Sequence, residues 1–380
     1  MIAIVTDVKY RMSLSLIRDL ADRGVSVIAC HSGEFPYALA SRGVARSAQL
    51  PDCLQAPAEY LQELADLCRT CAETPVLLPV GAAALALVTT PEGRSALKGL
   101  CHFCLSDPDT LALANDKARL AALARTVGVP VPEEYRPRTP SDFEKLPYPV
   151  VIKPLCGEKQ GLEAARRYVI ARSAAQAREA FDAFTFDGQP PVVQQYLSGI
   201  GLGYSVLAQS GVIVNAICHR RVREYPLSGG PSTCCQVIDG EFLRPYAEKL
   251  VKALNFTGPA MIEFKLDADG NPRLLEINPR LWGTFPLTRA ARSSFAWDWY
   301  ALAAGLTPER RPPRAGTRMY YLLSDARRGL AVLRQGKLGA LAATLADWLL
   351  PRAREGVFEW GDLRASVGYL ASYLRRGVGV

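Results

Sequence analysis

Residues 274–285 read LLEINPRLWGTF, and Glu276, Asn278 and Arg280 recur at every second position. On an extended strand that spacing puts an acid, an amide and a base on one face. Glu263 stands thirteen residues before Glu276, across a DADGN turn whose Asp, Gly and Asn tolerate positive φ. If the hairpin closes on that turn, Glu263 and Glu276 come side by side. Adjacent carboxylates repel, and one stays protonated unless a cation sits between them. Two acids and the amide oxygen of Asn278 suit Mg²⁺, a hard cation that keeps waters and shares substrate phosphates. Arg280, just past them, could clamp a phosphoryl or carboxylate oxygen. The plain alternative is a solvated hairpin face carrying a charge pair. The Asn-Pro-Arg ending of the strand favours the site.

Other residues join this set. Lys153 ends the apolar run PVVIK, where a lysine must emerge at the strand end or find an anion. The loop that follows, 154–161, holds two glycines with Glu158 and Lys159 and could fold its N–H groups over phosphates. Lys117 follows Asp116 at a helix start and, taken alone, is an ordinary exposed lysine. Gln194, Gln195, Tyr196 and Leu197 leave a β run where backbone groups could meet an adenine edge; a plain edge strand is the alternative. Trp282, followed by Gly283 and Thr284, is expected to pack and close the floor of the site.

The elements that must position these side chains follow from periodicity. Runs at 2–6 and 25–30 flank a helical pattern at 14–22, a β-α-β opening with a parallel sheet. A helix at 56–71 and β runs at 76–80 and 101–105 continue it. The first turn, DVKYRMS, lacks the glycines that admit a pyrophosphate, so this part reads as a scaffold or substrate platform. A second unit has a helix at 116–126, strands at 148–153 and 168–171 and a helix at 174–184; Pro190 and Pro191 mark a hinge. A third has a strand at 192–196, runs at 204–209, 212–218, 260–266 and 273–277 as antiparallel strands, and a helix at 246–254. Residues 308–313 read as a linker to helical stretches at 325–350 and 363–374.

Composition narrows the function. The net charge is +8, but residues 309–380 hold 13 Lys and Arg against 6 Asp and Glu, so the basic excess belongs to that segment. Interleaved aromatic and basic surfaces for nucleic acid are not evident, and no nucleic-acid partner is expected. The stretch LAVLRQGKLGALAATLADWLL could touch a membrane surface, although packing of its apolar side onto the domain is the simpler expectation. Met1–Asp7 does not read as a signal peptide, and a cytoplasmic protein is expected. The ten cysteines are read as reduced thiols. The pairs Cys68/Cys71 and Cys101/Cys104 could build a zinc site on paper, but a helix and a strand would aim them apart.

The stretches NDKARLAALARTVGVPVP, YPVVIKP, VVQQYLSGIGLGYSV and AMIEFKLDADGNPRLLEINPRLWGT, in this order over about residues 116–306, resemble the ATP-grasp superfamily. HRRVREYPLSGGPSTCC, residues 219–235, resembles a subgroup of carboxylate–amine ligases with the same kind of N-terminal domain. The resemblance implies an α/β and α+β fold: a Rossmann-like preATP-grasp domain (1–114), a lid (115–191), a central catalytic part (192–308) and a basic helical C-terminal segment (309–380). It implies ATP with Mg²⁺ or Mn²⁺. Lys117 and Lys153 would contact ATP phosphates; Gln195, Tyr196 and Leu197, with Gln194 beside them, would line the adenine pocket. Glu263, Glu276 and Asn278 would hold the metal, and Arg280 would steady the transferred phosphoryl group. Arg221 and Arg223, two apart on one strand face, would meet a substrate carboxylate or the γ-phosphate, and Gly229, Gly230 and Ser232 could cradle an anion. His219 is expected to be packed, with a general base as the alternative. Departures from the family pattern are Gln195, where an acid is frequent, and a loop after Lys153 with few glycines. The implied reaction joins a small-molecule acid, through an acyl phosphate, to an amine, with amino acids or peptides as substrates and a homodimer common among look-alikes. Bicarbonate-dependent carboxylation or carbamoyl-phosphate-type chemistry, and a non-catalytic nucleotide-binding or membrane-tethered protein, are the alternatives.

Overall fold

A computed structural model describes residues 1–33, 36–154, 168–227 and 229–376. Most of the loop after Lys153, including Glu158 and Lys159, lies outside the described residues. The chain folds around three sheets. The first joins β1 (Ile2–Val5), β2 (Ser26–His31), β3 (Val44–Gln49) and β4 (Val76–Leu78), all parallel, in the order β3-β2-β1-β4. Helices cover it, so β1 and β4 are almost wholly apolar and buried, as parallel strands must be. The polar edge strand β3, VARSAQ, carries no such signal and escapes the periodicity argument. The expected strand at 101–105 is reduced to a single parallel bridge from His102 to Val76. Cys68 and Cys101 nevertheless meet, thiol to thiol. Among the described residues no group of three or more His, Cys, Asp or Glu is placed to hold a metal.

The second sheet, in the order β5-β8-β6-β7, is antiparallel: β5 (Glu134–Tyr135), β6 (Val150–Lys153), β7 (Val169–Ala171) and β8 (Val192–Gln195). It has its own small core of Phe143, Val150, Ile152, Ala177 and Val193, separate from the main one.

The third sheet has seven strands in the order β13-β12-β9-β10-β11-β14-β15: β9 (Gly201–Gln209), β10 (Val212–Glu224), β11 (Ser232–Val237), β12 (Gly258–Leu266), β13 (Pro272–Asn278), β14 (Arg318–Tyr320) and β15 (Ala353–Glu355). One contiguous core runs from the first domain through this sheet. Trp282 belongs to it, edge-on to Phe285 and Phe295 at 5.4 and 5.2 Å. The segment after residue 308 is more than an appended helical tail. It contributes β14 and β15 to the sheet, and its last helix, Leu363–Arg376, packs on the turn Tyr37–Ala40 of the first domain. There the buried guanidinium of Arg18 bonds Asp362 at 2.8 Å. Three-residue strands such as RMY and ARE are too short to show a period. Among the described residues no helix is long and apolar enough to cross a membrane.

Candidate functional site

β12 and β13 pair antiparallel with Glu263 directly opposite Glu276 and Met261 opposite Asn278. A bulge after Glu263 resets the alternation, so Phe264 and Leu274 stay in the core while both acids share the other face. The Asn278 amide nitrogen lies between them, 3.4 Å from Glu263 Oε1 and 3.2 Å from Glu276 Oε1. Arg280, one turn past the strand, donates to the Leu281 carbonyl at 3.1 Å and to Asn278 Oδ1 at 3.3 Å.

Cations approach from two elements. Asp116 caps the helix Lys117–Thr126 by accepting from the N–H groups of Ala118 and Arg119, and the first helical residue, Lys117, puts Nζ 3.1 Å from Glu276 Oε2. Lys153 closes β6 on the second sheet. Burial pulls its ammonium down to about 8, with Lys117 adding to the fall and Glu276 opposing it. Burial pushes Glu276 up, but the ammonium groups of Lys117 and Lys153 outweigh it and hold this carboxyl at about 2. Glu263 moves the other way: burial and the neighbouring Glu276 raise it, against the pull of Arg221. The site thus contains one firmly ionised acid and one strained acid, a donor set that a divalent cation would relieve.

Arg221 reaches this face from β10, with its guanidinium 2.5 Å from Glu263 Oε2 and 3.0 Å from Glu224 Oε1. Two glycines of β9 make room for β10's side chains. A Cβ at Gly203 would come 2.3 Å from His219 Cε1, and one at Gly201 would come 3.1 Å from Arg221 Cδ. The glycines of SGIGLG therefore admit neighbouring side chains. His219 is buried, 3.1 Å from Thr284 Oγ1, and burial with the nearby Arg221 pushes its pKa down to about 3. A neutral, packed imidazole fits this, and a base working near neutral pH does not.

Arg223 is directed elsewhere. An extra residue between Arg221 and Arg223 forms a bulge against β11, so Arg221 pairs with Cys235 and Arg223 with Cys234. The two arginines consequently face opposite sides of the sheet. Arg223 is buried against Asp325, with contacts at 2.6–3.2 Å, and also contacts Asp347. The expected anion cradle also changes character. Ser232 begins β11, and Gly230 turns its carbonyl to Arg221 at 3.5 Å.

Around the expected adenine stretch, the Gln195 N–H is occupied by the Glu133 carbonyl at 2.8 Å, and Gln194 and Leu197 are buried. Tyr196 carries Lys265 over its ring, 5.4 Å from the centroid. Lys265 is a residue that sequence reasoning passed over, although it stands two after Glu263 on the same strand face. Arg11, the first residue of the helix Arg11–Ala21, was invisible locally. Its guanidinium stacks 3.6 Å from the Tyr321 ring, whose hydroxyl donates to the Gly283 carbonyl, so this helix start reaches the segment that follows Arg280.

Known proteins are similar to this chain in sequence or in fold. The family described as "ATP-grasp in the biosynthetic pathway with Ter operon" matches residues 188–323, the stretch that contains all four of Glu263, Glu276, Asn278 and Arg280. Over 207 residues the chain is 25% identical to the arginine-specific large chain of carbamoyl phosphate synthase, chloroplastic, of Oryza sativa subsp. japonica. That match takes in 51% of this chain and spans only 17% of the rice protein. Among solved structures, N5-carboxyaminoimidazole ribonucleotide synthetase in complex with ADP superposes with a TM-score of 0.64 at 15% identity, over 88% of this chain and 84% of that one. L-amino acid ligase from Bacillus licheniformis gives 0.58 at 18% identity, over 82% and 77%. The biotin carboxylase domain of Hydrogenobacter thermophilus 2-oxoglutarate carboxylase, bound to MgADP and bicarbonate, gives 0.61 at 15% identity, over 83% and 73%. At these identities the solved structures speak for the fold, while the family match covers the acid-bearing hairpin itself. Residues 188–323, with the acid-bearing hairpin, thus match an ATP-grasp family, and the three-sheet architecture is similar in fold to these solved structures.

Proposed function

We propose that the protein is an ATP- and Mg²⁺-dependent ligase that activates a small carboxylic acid as an acyl phosphate and joins it to an amine, releasing ADP and phosphate. The observation that carries this reading is the cross-strand pair Glu263 and Glu276 with Lys117 and Lys153 converging on Glu276. Carboxylate oxygens with a neutral amide oxygen suit Mg²⁺, and the raised Glu263 is the group such a cation would settle. The Asn278 amide presents nitrogen to the acids in this state, and its two ends are alike in shape. When bound, the metal neutralises charge on the polyphosphate. The chain's own residues do the rest. Lys117 and Lys153 pair with phosphate oxygens, Arg280 steadies the group in transfer, and Arg221 exchanges Glu263 for the substrate carboxylate. Positioning and charge compensation are the main demands of phosphoryl transfer.

The likeness to the carboxylase and carbamoyl phosphate synthase proteins favours one second reading, in which bicarbonate is the acid. One assay separates them: ADP release measured with amino acids in pairs and with bicarbonate, followed by mass analysis of the product. Release that requires an acid together with an amine supports the ligase. Release that requires bicarbonate alone supports carboxylation. No ADP release with any combination sinks both.

Lys153 supplies a pH test. Its ammonium titrates near 8 without ligand, below the ordinary lysine value, so it is partly deprotonated just above neutrality. A depressed lysine makes the folded state bind fewer protons than the unfolded chain, so its contribution to stability rises with pH between about 8 and 10.5. Phosphates would restore its proton. Nucleotide binding should therefore take up a proton above pH 8 and weaken as pH rises. Calorimetry in buffers of different ionisation enthalpy reads this uptake, and Lys153→Met should abolish it. Proton-neutral binding by the parent protein at pH 8.5 would count against the assignment.

A further inference from the structure

The helix Leu338–Trp348 is inside out. Its polar side chains point into the protein: Thr344 is buried and meets Arg328, Asp347 binds Arg223 and Arg318, and Trp348 Nε1 donates to Asp325 at 3.0 Å. The solvent side presents Leu338, Ala342, Ala343, Leu345, Ala346 and Leu349, with no polar side chain among them. Leu338, Leu345 and Leu349 are 65%, 48% and 85% exposed, and Leu330 and Leu333 of the preceding helix, Leu322–Arg334, are exposed as well. A helix that packs on its own domain turns this pattern the other way. An apolar face of this kind marks a contact.

Charge decides which contact. Exposed Arg334 and Lys337 stand at one end of the helix, and exposed Arg352 and Arg354 follow its other end. Asp347 is the sole acid between residues 326 and 354, and it is already held by Arg223 and Arg318. A second copy meeting this face across a two-fold axis would bring the same four cations together, with no free acid from residues 326–354 to offset them. Eleven residues rise about 16 Å, roughly half the hydrocarbon thickness of a bilayer, so the helix cannot span one. Leucines outward with cations at both ends suit a helix lying in the plane of an anionic headgroup layer. We propose that this face docks the protein on the surface of an anionic phospholipid membrane. The inference is independent of the ligase reading.

Flotation of the full chain with two kinds of vesicle tests it: phosphatidylcholine alone, and phosphatidylcholine mixed with phosphatidylglycerol. The protein should float with the anionic vesicles, remain behind with the neutral ones and be released by high salt. Leu345→Asp, whose side chain touches water, should lower the partition by about tenfold with the melting temperature unchanged. The pair Arg334→Glu and Lys337→Glu should lower it similarly while leaving the apolar face intact. Failure to float with anionic vesicles, equal flotation with neutral ones, or wild-type partition by these variants overturns the proposal. So does sedimentation showing a dimer that Leu345→Asp dissociates, since the face would then be a subunit contact.

Discussion

Glu276→Gln should lower ADP formation by roughly a hundred- to a thousandfold, the scale of removing one charged group aimed at a reacting centre. The substitution keeps the shape of the side chain and removes its charge. Lys117, at 3.1 Å, then loses its acid, and Lys153 loses the carboxylate that opposes its desolvation. Two ammonium groups would face each other across a neutral amide, and the metal would retain only Glu263 as an acid ligand. Glu263→Gln is the instructive companion. Glu263 is the raised member of the pair and is engaged by Arg221, so its loss frees that arginine as well as a ligand. Turnover by Glu276→Gln equal to the parent would remove the metal role from this hairpin. Magnesium titration of the residual activity separates the two variants further: weaker apparent metal affinity is expected in both.

Arg223→Ala should cost about 3–5 kcal/mol of stability, the range for removing one partner of a buried ion pair. The guanidinium satisfies Asp325, which also accepts from Thr233 and Trp348, and it reaches Asp347. Truncation would leave Asp325 buried without its cation. The double variant Arg223→Ala, Asp325→Ala should recover part of the loss, because no charge is then stranded. Denaturant unfolding reads both, and turnover of the folded fraction should stay near that of the parent. A variant that keeps its stability but loses turnover would return Arg223 to the catalytic face.

This residue shows why part of the site could not be read in advance. Alternation along a strand assigns Arg221 and Arg223 to one face, and alternation holds only while the register is unbroken. The bulge between them depends on pairing with β11, some ten residues on, whose STCCQV carries no turn or period that announces it. Glu263 and Glu276 fared better because DADGN is a local device that closes the hairpin and brings both acids to one place, although a bulge after Glu263, and not the turn alone, sets them directly opposite. Helix Leu338–Trp348 is the other instructive case. Its amphipathic pattern was legible, but the assumption that its apolar side faces inward was not safe. Asp325, Arg223 and Arg318 supply a polar bed that attracts the opposite side.

The amino-acid order alone determined the parallel opening and the acid hairpin, since each rests on short-range periodicity or on a turn that closes within a few residues, whereas Lys117 and Lys153 were singled out by the family resemblance and meet Glu276 only in the fold. Tertiary structure decided which side of the sheet each arginine serves, that the last seventy residues add two strands to the central sheet, and that the helix beginning at Arg11 meets Tyr321, which bonds Gly283. Those outcomes depend on bulges, edge pairings and buried ion pairs between distant segments, whose energies exist only once the partners have met.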